Sequence, residues 1–304
     1  MSPAQEQNLM LSLSNAMADA VEKAAAYTVL VNARPRFPAS GVSYAADLVL
    51  TCDHVVERNE DITVVLPDGT EISAQVAGRD PSNDLALLRL SKPVAVVAQP
   101  AASDARVGQL VLALGRPSEE GIQASQGVVS AIGGPIRTPR GGLVQRYLRT
   151  DAIPYPGFSG GPLIDSEGKV LGLNSSGFIP GASLTIPVSL AWEVAKTLQQ
   201  FGKIRRGYLG VRSQPVEIPA SVQSALNRNQ SRGLILVGVE SNAPGGKGGL
   251  LVGDIIVSMA GKPIEDPDDL LAGLTGDVVG KPVSFQIVRA GNLQTLSVVV
   301  GERE

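Results

Sequence analysis

The 304-residue chain holds one cysteine, Cys52, and one histidine, His54. A lone thiol excludes an intrachain disulfide. One Cys with one His also falls short of the ligand set of a Cys/His zinc centre, so no metal is expected. If any imidazole acts as a base, His54 is that imidazole. No apolar run reaches the roughly 18 residues that a membrane-crossing helix needs. Lys and Arg number 26 against 29 Asp and Glu, so no basic field invites nucleic acid. The N-terminal stretch does not read as a secretory leader, because Glu6 precedes any basic residue and the first lysine is Lys23. As written, the chain reads as cytoplasmic, or as periplasmic or otherwise extracytoplasmic if a leader has been removed.

What is present is a turn-rich globular composition, 43% apolar with 34 glycines and 21 prolines. At about 150 residues per domain the length suggests two domains. Met10, Leu13, Met17, Ala20, Val21 and Ala24 recur at helical spacing, which predicts an amphipathic N-terminal helix. Short runs rich in Val, Leu and Ile follow: Tyr27–Val31, Val42–Leu50, Ile62–Leu66, Glu71–Val76 and Leu85–Leu90. Pro67-Asp68-Gly69-Thr70 reads as a hairpin turn within this set. A second set comprises Leu110–Leu114, Gln126–Ile132, Tyr147–Asp151, Pro162–Ile164, Lys169–Leu173 and Ser183–Ile186. Many short strands at this spacing predict a mainly β fold of sandwiches or barrels and argue against a parallel α/β sheet. Leu190, Val194, Leu198 and Phe201 then fall at helical spacing, and Gly202 ends the helix. The expected layout is an N-terminal helical segment (1–26), a β domain (27–201), a linker (202–206) and a small C-terminal domain (207–304).

Three strings carry candidate chemistry. His54 closes an apolar strand in Leu50-Thr51-Cys52-Asp53-His54-Val55-Val56, and Asp84 opens one in Ser82-Asn83-Asp84-Leu85-Ala86-Leu87-Leu88. In Gly157-Phe158-Ser159-Gly160-Gly161-Pro162-Leu163, glycines flank a serine and let successive N–H groups converge, as an oxyanion hole requires. Taken singly these read as a structural histidine, a turn cap and a tight turn.

Together, in the chain order His, Asp, Ser, they resemble the chymotrypsin-fold serine proteases, and most closely the HtrA (DegP-like) family. Ser40-Gly41-Val42, Gln126-Gly127-Val128-Val129-Ser130-Ala131 and Thr150-Asp151-Ala152 extend the likeness across residues 27–200. The resemblance implies a double β-barrel protease domain with His54, Asp84 and Ser159 as catalytic triad and the N–H groups of Gly157 and Ser159 as oxyanion hole. It also implies cleavage of unfolded or misfolded polypeptides without ATP or any cofactor, in a homo-oligomer such as a trimer. Trypsin-like enzymes specific for Lys or Arg carry an acidic residue six positions before the serine, where this chain has Ile153. Ile153, Leu184 and Ile186 are therefore expected to line an apolar pocket for small or medium aliphatic residues. Phe158 stands where the family usually has Asn, and Cys52 and Asp53 also depart from the common pattern. Those departures supply a second reading, a proteolytically inactive chaperone or peptide-binding scaffold.

Downstream, Tyr208-Leu209-Gly210-Val211, Ala243-Pro244-Gly245-Gly246-Lys247-Gly248-Gly249-Leu250 and Gly253-Asp254-Ile255-Ile256 resemble the PDZ domain attached to HtrA proteases. By that resemblance Tyr208, Leu209, Gly210 and Val211 form the loop that holds a peptide's C-terminal carboxylate. Three weaker features remain. Arg137, Arg140, Arg146 and Arg149 form a basic cluster that reads as a solvated loop. Gly115–Gly121 lacks the Lys-Ser/Thr of a phosphate loop. Asp266, Asp268 and Asp269 lack calcium-loop spacing and are expected to cap a helix.

Overall fold

The computed structural model describes residues 3–137, 143–179, 182–226 and 228–302. The chain folds into two compact units, Met1–Ile204 and Arg205–Glu304.

The first unit begins with helix α1 (Pro3–Ala25) and ends with helix α2 (Val188–Phe201), which Gly202 caps in a left-handed conformation at φ 72°. Between them lie β1 (Thr28–Asn32), β2 (Ala39–Ala45), β3 (Leu48–Thr51), β4 (Ile62–Val65), β5 (Glu71–Asp80) and β6 (Leu85–Leu90). These close a barrel in the order β1-β2-β3-β6-β5-β4. A second set comprises β7 (Leu110–Ser118), β8 (Gly121–Gly133), the short ribbon β9 (Ile136–Arg137) and β10 (Leu143–Val144), β11 (Tyr147–Thr150), β12 (Pro162–Ile164), β13 (Val170–Ile179) and β14 (Ala182–Pro187). Here the closed order is β11-β14-β13-β12-β7-β8. The architecture is a mainly β double barrel of the chymotrypsin type.

Strands buried on both faces explain the near-continuous apolar runs. Along β6, Ala86 and Leu88 fill the first barrel, while Leu85 and Leu87 point into the layer between the barrels. Along β7, Val111 and Ala113 fill the second barrel, while Leu112 and Leu114 join that same layer. Fully burying each such leucine contributes about 1.5–3 kcal/mol. Among the described side chains of α1, those of the last turns share in this core: Met17, Ala20 and Ala24 are buried, whereas Met10 and Leu13 are exposed. The amphipathic pattern therefore packs over half its length. The run Val42–Leu50 is two strands and not one, because the chain reverses at Ala46-Asp47 and pairs β2 with β3.

The second unit contains β15 (Gly207–Tyr208), β16 (Val211–Glu217), α3 (Ala220–Ala225), β17 (Arg232–Val239), α4 (Pro244–Lys247), β18 (Ile255–Met259), β19 (Lys262–Pro263), α5 (Pro267–Gly273), β20 (Pro282–Arg289), β21 (Asn292–Val299) and β22 (Gly301–Glu302). Its sheet runs β16-β17-β18-β20-β21, with β19 beside β18 and β15 beside β22. Asp266 caps α5 in a reciprocal capping box with Asp269. Asp254 is buried in a bidentate pair with Arg289, both bonds at 2.7 Å, and accepts the Leu251 N–H at 2.8 Å. The pair ties the Leu250–Asp254 turn to the end of β20.

Candidate active site

The site lies where the two barrels meet. Strand β3 ends at Thr51, and a 3-10 turn, Asp53–Val55, lifts His54 out of the barrel. Asp84 sits just before β6 with φ 53°, a left-handed backbone that aspartate tolerates better than most residues. This conformation turns both ends of the residue towards the His54 turn. Its carbonyl accepts the Asp53 N–H at 3.1 Å, and its Oδ1 accepts the His54 N–H at 2.9 Å. The imidazole Nδ1 then lies 2.8 Å from Oδ2 and 3.0 Å from Oδ1. Ser175, on β13 of the second barrel, donates its hydroxyl to Oδ2. Burial alone would raise the Asp84 carboxyl, but the hydrogen bonds and charge of His54, with the Ser175 hydroxyl, outweigh it and hold the carboxyl below its ordinary value.

Ser159 occupies the turn before β12. Gly157 and Gly160 shape that turn at φ 87° and 84°. Phe158 donates its N–H to Tyr155 O at 3.0 Å, Gly160 to Asn174 O at 2.8 Å and Gly161 to Phe158 O at 2.8 Å. The N–H groups of Gly157 and Ser159 have no acceptor among the described residues. Two unbonded donors flanking a hydroxyl are what a developing oxyanion needs, each worth about 2.7–4 kcal/mol.

The first barrel anchors this turn through Ser40. Its N–H donates to Ser159 O at 3.1 Å and its hydroxyl to Gly157 O at 2.7 Å, while the Arg116 N–H donates to that hydroxyl at 2.8 Å. Thr51 Oγ1 in turn donates to Ser40 O at 2.7 Å.

Phe158 does not reach the oxyanion position. Its side chain is fully buried in the second barrel with Val111, Ala113, Leu163 and Leu171, and packs edge-on against Tyr155 at 5.5 Å. Room for the ring comes from Gly115 on β7, where a Cβ would stand 2.5 Å from Phe158 Cδ1 and 3.0 Å from its Cα. Gly115→Ala is therefore expected to displace Phe158 and the adjoining Ser159, costing about 1–3 kcal/mol of stability. Reaction of the Ser159 hydroxyl with an acylating probe should slow by about tenfold or more at a temperature where the fold persists. Parallel thermal melts and rate assays check this, and an unchanged rate would show that the turn does not depend on the Phe158 seat.

A cavity of about 370 Å³ adjoins the serine, lined by Ala113, Thr150, Ala152, Pro154, Asn174, Ser176 and Ser183. Ile153, Leu184 and Ile186, the expected pocket residues, do not line this cavity. Side chains alternate along β14, so Ser183 faces the cavity while Leu184 and Ile186 point into the layer between the barrels. Ile153, between two lining residues, turns outward and is 60% exposed. The cavity has a mixed lining of hydroxyl, amide and small apolar groups and no charged side chain.

Sequence reasoning missed Ser40, Ser175 and Ser176. Ser176 Oγ lies 3.0 Å from Ser159 Oγ and 3.4 Å from His54 Nε2, and no hydrogen bond joins Ser159 to His54 directly among the described residues. Cys52, His54 and Asp84 offer three ligand atoms within 4.8 Å of one another. The Cys52 thiol is wholly buried, and burial with the nearby Asp84 charge holds its pKa well above the ordinary value. A metal would have to displace that proton and break the His54–Asp84 bond, so the set does not fit a resident ion. In the basic cluster, Arg140 lies outside the described residues and Arg146 pairs with Asp104 at 3.2 Å.

In the second unit, Leu209 is buried in the core, while the Leu209 and Gly210 N–H groups have no acceptor among the described residues. Gly210 takes φ 71°, and its carbonyl accepts the Glu240 N–H at 2.9 Å. Tyr208 Oη donates to Glu240 at 2.8 Å. Val211 begins β16, which is the sheet's edge and so presents one unpaired side.

Comparison with known proteins agrees with these two constructions. Residues 39–173 match the family model of the trypsin-like peptidase domain, and residues 207–300 match that of the PDZ domain. The double barrel is thus of the trypsin-like peptidase class. A probable periplasmic serine endoprotease, DegP-like, of Pseudomonas putida (strain GB-1) is 36% identical over 269 residues, 86% of this chain and 55% of that protein. The chain spans about half the length of the curated relatives it matches. The solved HtrA-type protease AlgW with decapeptide has a TM-score of 0.78 at 27% identity, covering 95% of this chain and 99% of that one. The same protease with tripeptide gives 0.74 at 30% identity, covering 95% and 97%. The chain belongs to the HtrA family of serine proteases, with one PDZ domain.

Proposed function

We propose that this chain is a serine endopeptidase acting on unfolded or misfolded polypeptides without ATP. His54, Asp84 and Ser159 form its triad, and the Gly157 and Ser159 N–H groups form its oxyanion hole. The observation that carries this reading is the convergence, around one hydroxyl, of a carboxylate-oriented imidazole and two unbonded backbone donors. Ser159 Oγ attacks the scissile carbonyl carbon, and His54 Nε2 takes the hydroxyl proton as the carbonyl oxygen becomes an oxyanion. His54 passes that proton to the leaving amine as the C–N bond breaks, and a water molecule then hydrolyses the acyl-enzyme by the reverse proton route. Asp84 holds Nδ1–H, so Nε2 is left as the acceptor. With the Phe158 ring buried away from the hole, the inactive-scaffold reading loses its main support.

The uncharged cavity beside Ser159 supports cleavage after small or medium side chains, among them aliphatic ones such as Val and Ala. The unbonded N–H groups of Leu209 and Gly210, beside the open edge of β16, support capture of a peptide C-terminus that adds as a strand. A homo-oligomer such as a trimer and a periplasmic setting belong to the same reading, the setting being the one the Pseudomonas putida relative's name gives.

Labelling with a fluorophosphonate and digestion of casein test the central claim. Wild type should label and cleave, and Ser159→Ala should do neither. Equal labelling of Ser159→Ala would overturn the assignment of the nucleophile.

A further inference from the structure

Strand β13 does not run straight past the site. Its register against β14 shifts between Ser175 and Ile179, and the displaced stretch Ser175-Ser176-Gly177 touches every member of the triad. Ser175 donates to Asp84 and accepts the Gly177 N–H at 3.0 Å. A Cβ on Gly177 would lie 2.7 Å from both Asp84 Oδ2 and His54 Nδ1, so only glycine allows so close an approach. Ser176 places its hydroxyl between the remaining pair, 3.0 Å from Ser159 Oγ and 3.4 Å from His54 Nε2.

The two Ser176 contacts are unequal. A hydroxyl pair at 3.0 Å is an ordinary hydrogen bond, whereas 3.4 Å to the imidazole is near the limit of one. The nucleophile's hydroxyl is therefore paired with Ser176, either hydroxyl being able to donate, and not with its base.

We propose that Ser176 is a positioning residue that holds the Ser159 hydroxyl away from His54 until the reaction begins. The inference rests on the reading of Ser159 as nucleophile. Before His54 can take the proton, Ser159 must turn from Ser176 towards Nε2. The Ser159–Ser176 bond is then present in the ground state and lost in the transition state, and an interaction of that kind slows the step it precedes. Ser176 is exposed, so its side chain is not locked by packing and can give up the bond to a polypeptide laid against the strap. This makes the strap a restraint on the nucleophile, separate from the oxyanion turn and from the PDZ loop.

The test measures second-order acylation by a small dialkyl fluorophosphate, which reports on the nucleophile without filling the adjoining cavity. Ser176→Ala is expected to react about three- to tenfold faster than wild type, the range one hydroxyl hydrogen bond supports. Ser176→Thr, which restores a hydroxyl, should return the rate towards the wild-type value. Proton inventories in mixed light and heavy water should show one proton in flight in wild type and in Ser176→Ala alike. An Ala variant no faster than wild type overturns the proposal. So does an equally fast Thr variant, because the hydroxyl is then not the cause. A slower Ala variant, with a two-proton inventory in wild type alone, would overturn it in favour of a relay through Ser176. Thermal melts confirm that the variants are folded. Labelling of Ser159→Ala would instead defeat the underlying assignment, so the two failures are distinguishable.

Discussion

His54→Ala is expected to lower peptide hydrolysis by about four to six orders of magnitude while the second unit still binds a C-terminal peptide. The chain has one imidazole, so no neighbouring histidine can stand in for it. A truncation to alanine also leaves Asp84 without its principal partner, because Nδ1 supplies contacts at 2.8 and 3.0 Å to its two oxygens. The backbone N–H of residue 54, the Ser175 hydroxyl and the Cys52 thiol still face Asp84. Some loss of stability in the first unit is therefore expected beside the loss of catalysis. Rates should be compared with those of Ser159→Ala, which disturbs no buried charge, at a temperature where both variants are folded. Peptide binding should survive because the residues that would contact the peptide belong to the other compact unit. Proteolysis persisting above the Ser159→Ala background would mean that another group acts as base.

The parts of this architecture that the sequence discloses are those governed by local rules. Leu85–Leu90 reads as a strand from its composition alone and is observed with those bounds, because burial on both faces leaves it almost wholly apolar. Helix α2 ends at Gly202 for the reason its sequence suggests, a residue with no Cβ in a left-handed cap. His54 and Asp84 stand at strand ends, so a linear reading can nominate them.

The parts that stayed hidden depend on contacts between distant segments. Ser40 sits 117 residues from Gly157, whose carbonyl it holds, and Ser175 is 91 residues from Asp84. A serine in a strand carries no local sign of such a partner. The residues that line the cavity are hidden for a related reason. Leu184 and Ile186 look like pocket residues because they are apolar, but the two-residue period of β14 commits that face to the core and leaves Ser183 at the cavity. Phe158 shows the converse. Judged by its place beside the nucleophile it threatens the oxyanion turn, whereas Gly115, 43 positions earlier, provides the space that takes the ring inside.

Asp84→Asn is expected to lower kcat by about ten-thousand-fold with the fold preserved. Asparagine is the informative substitution because position 84 has φ 53°, which Asn accommodates and Ala would strain. Both oxygens of Asp84 are committed as acceptors: Oδ1 takes the His54 N–H at 2.9 Å, Oδ2 takes the Ser175 hydroxyl, and Nδ1–H lies against both. An amide has only one acceptor oxygen. If that oxygen keeps the His54 N–H, the amide NH2 faces Nδ1, and the imidazole must present Nδ1 as the acceptor. Its proton then moves to Nε2, which can no longer receive the proton of Ser159. The same change should alter acid stability. The Asp84 carboxyl is held below its ordinary value in the folded state, so its contribution is complete above the ordinary aspartate range and is lost as pH falls through the depressed value. Wild type should accordingly lose stability over that acidic interval more steeply than Asp84→Asn, as read from thermal midpoints between about pH 5 and pH 2. Parallel midpoints with a full loss of activity would separate the imidazole-orienting role from any stabilising one, and near-wild-type activity would refute the orienting role outright.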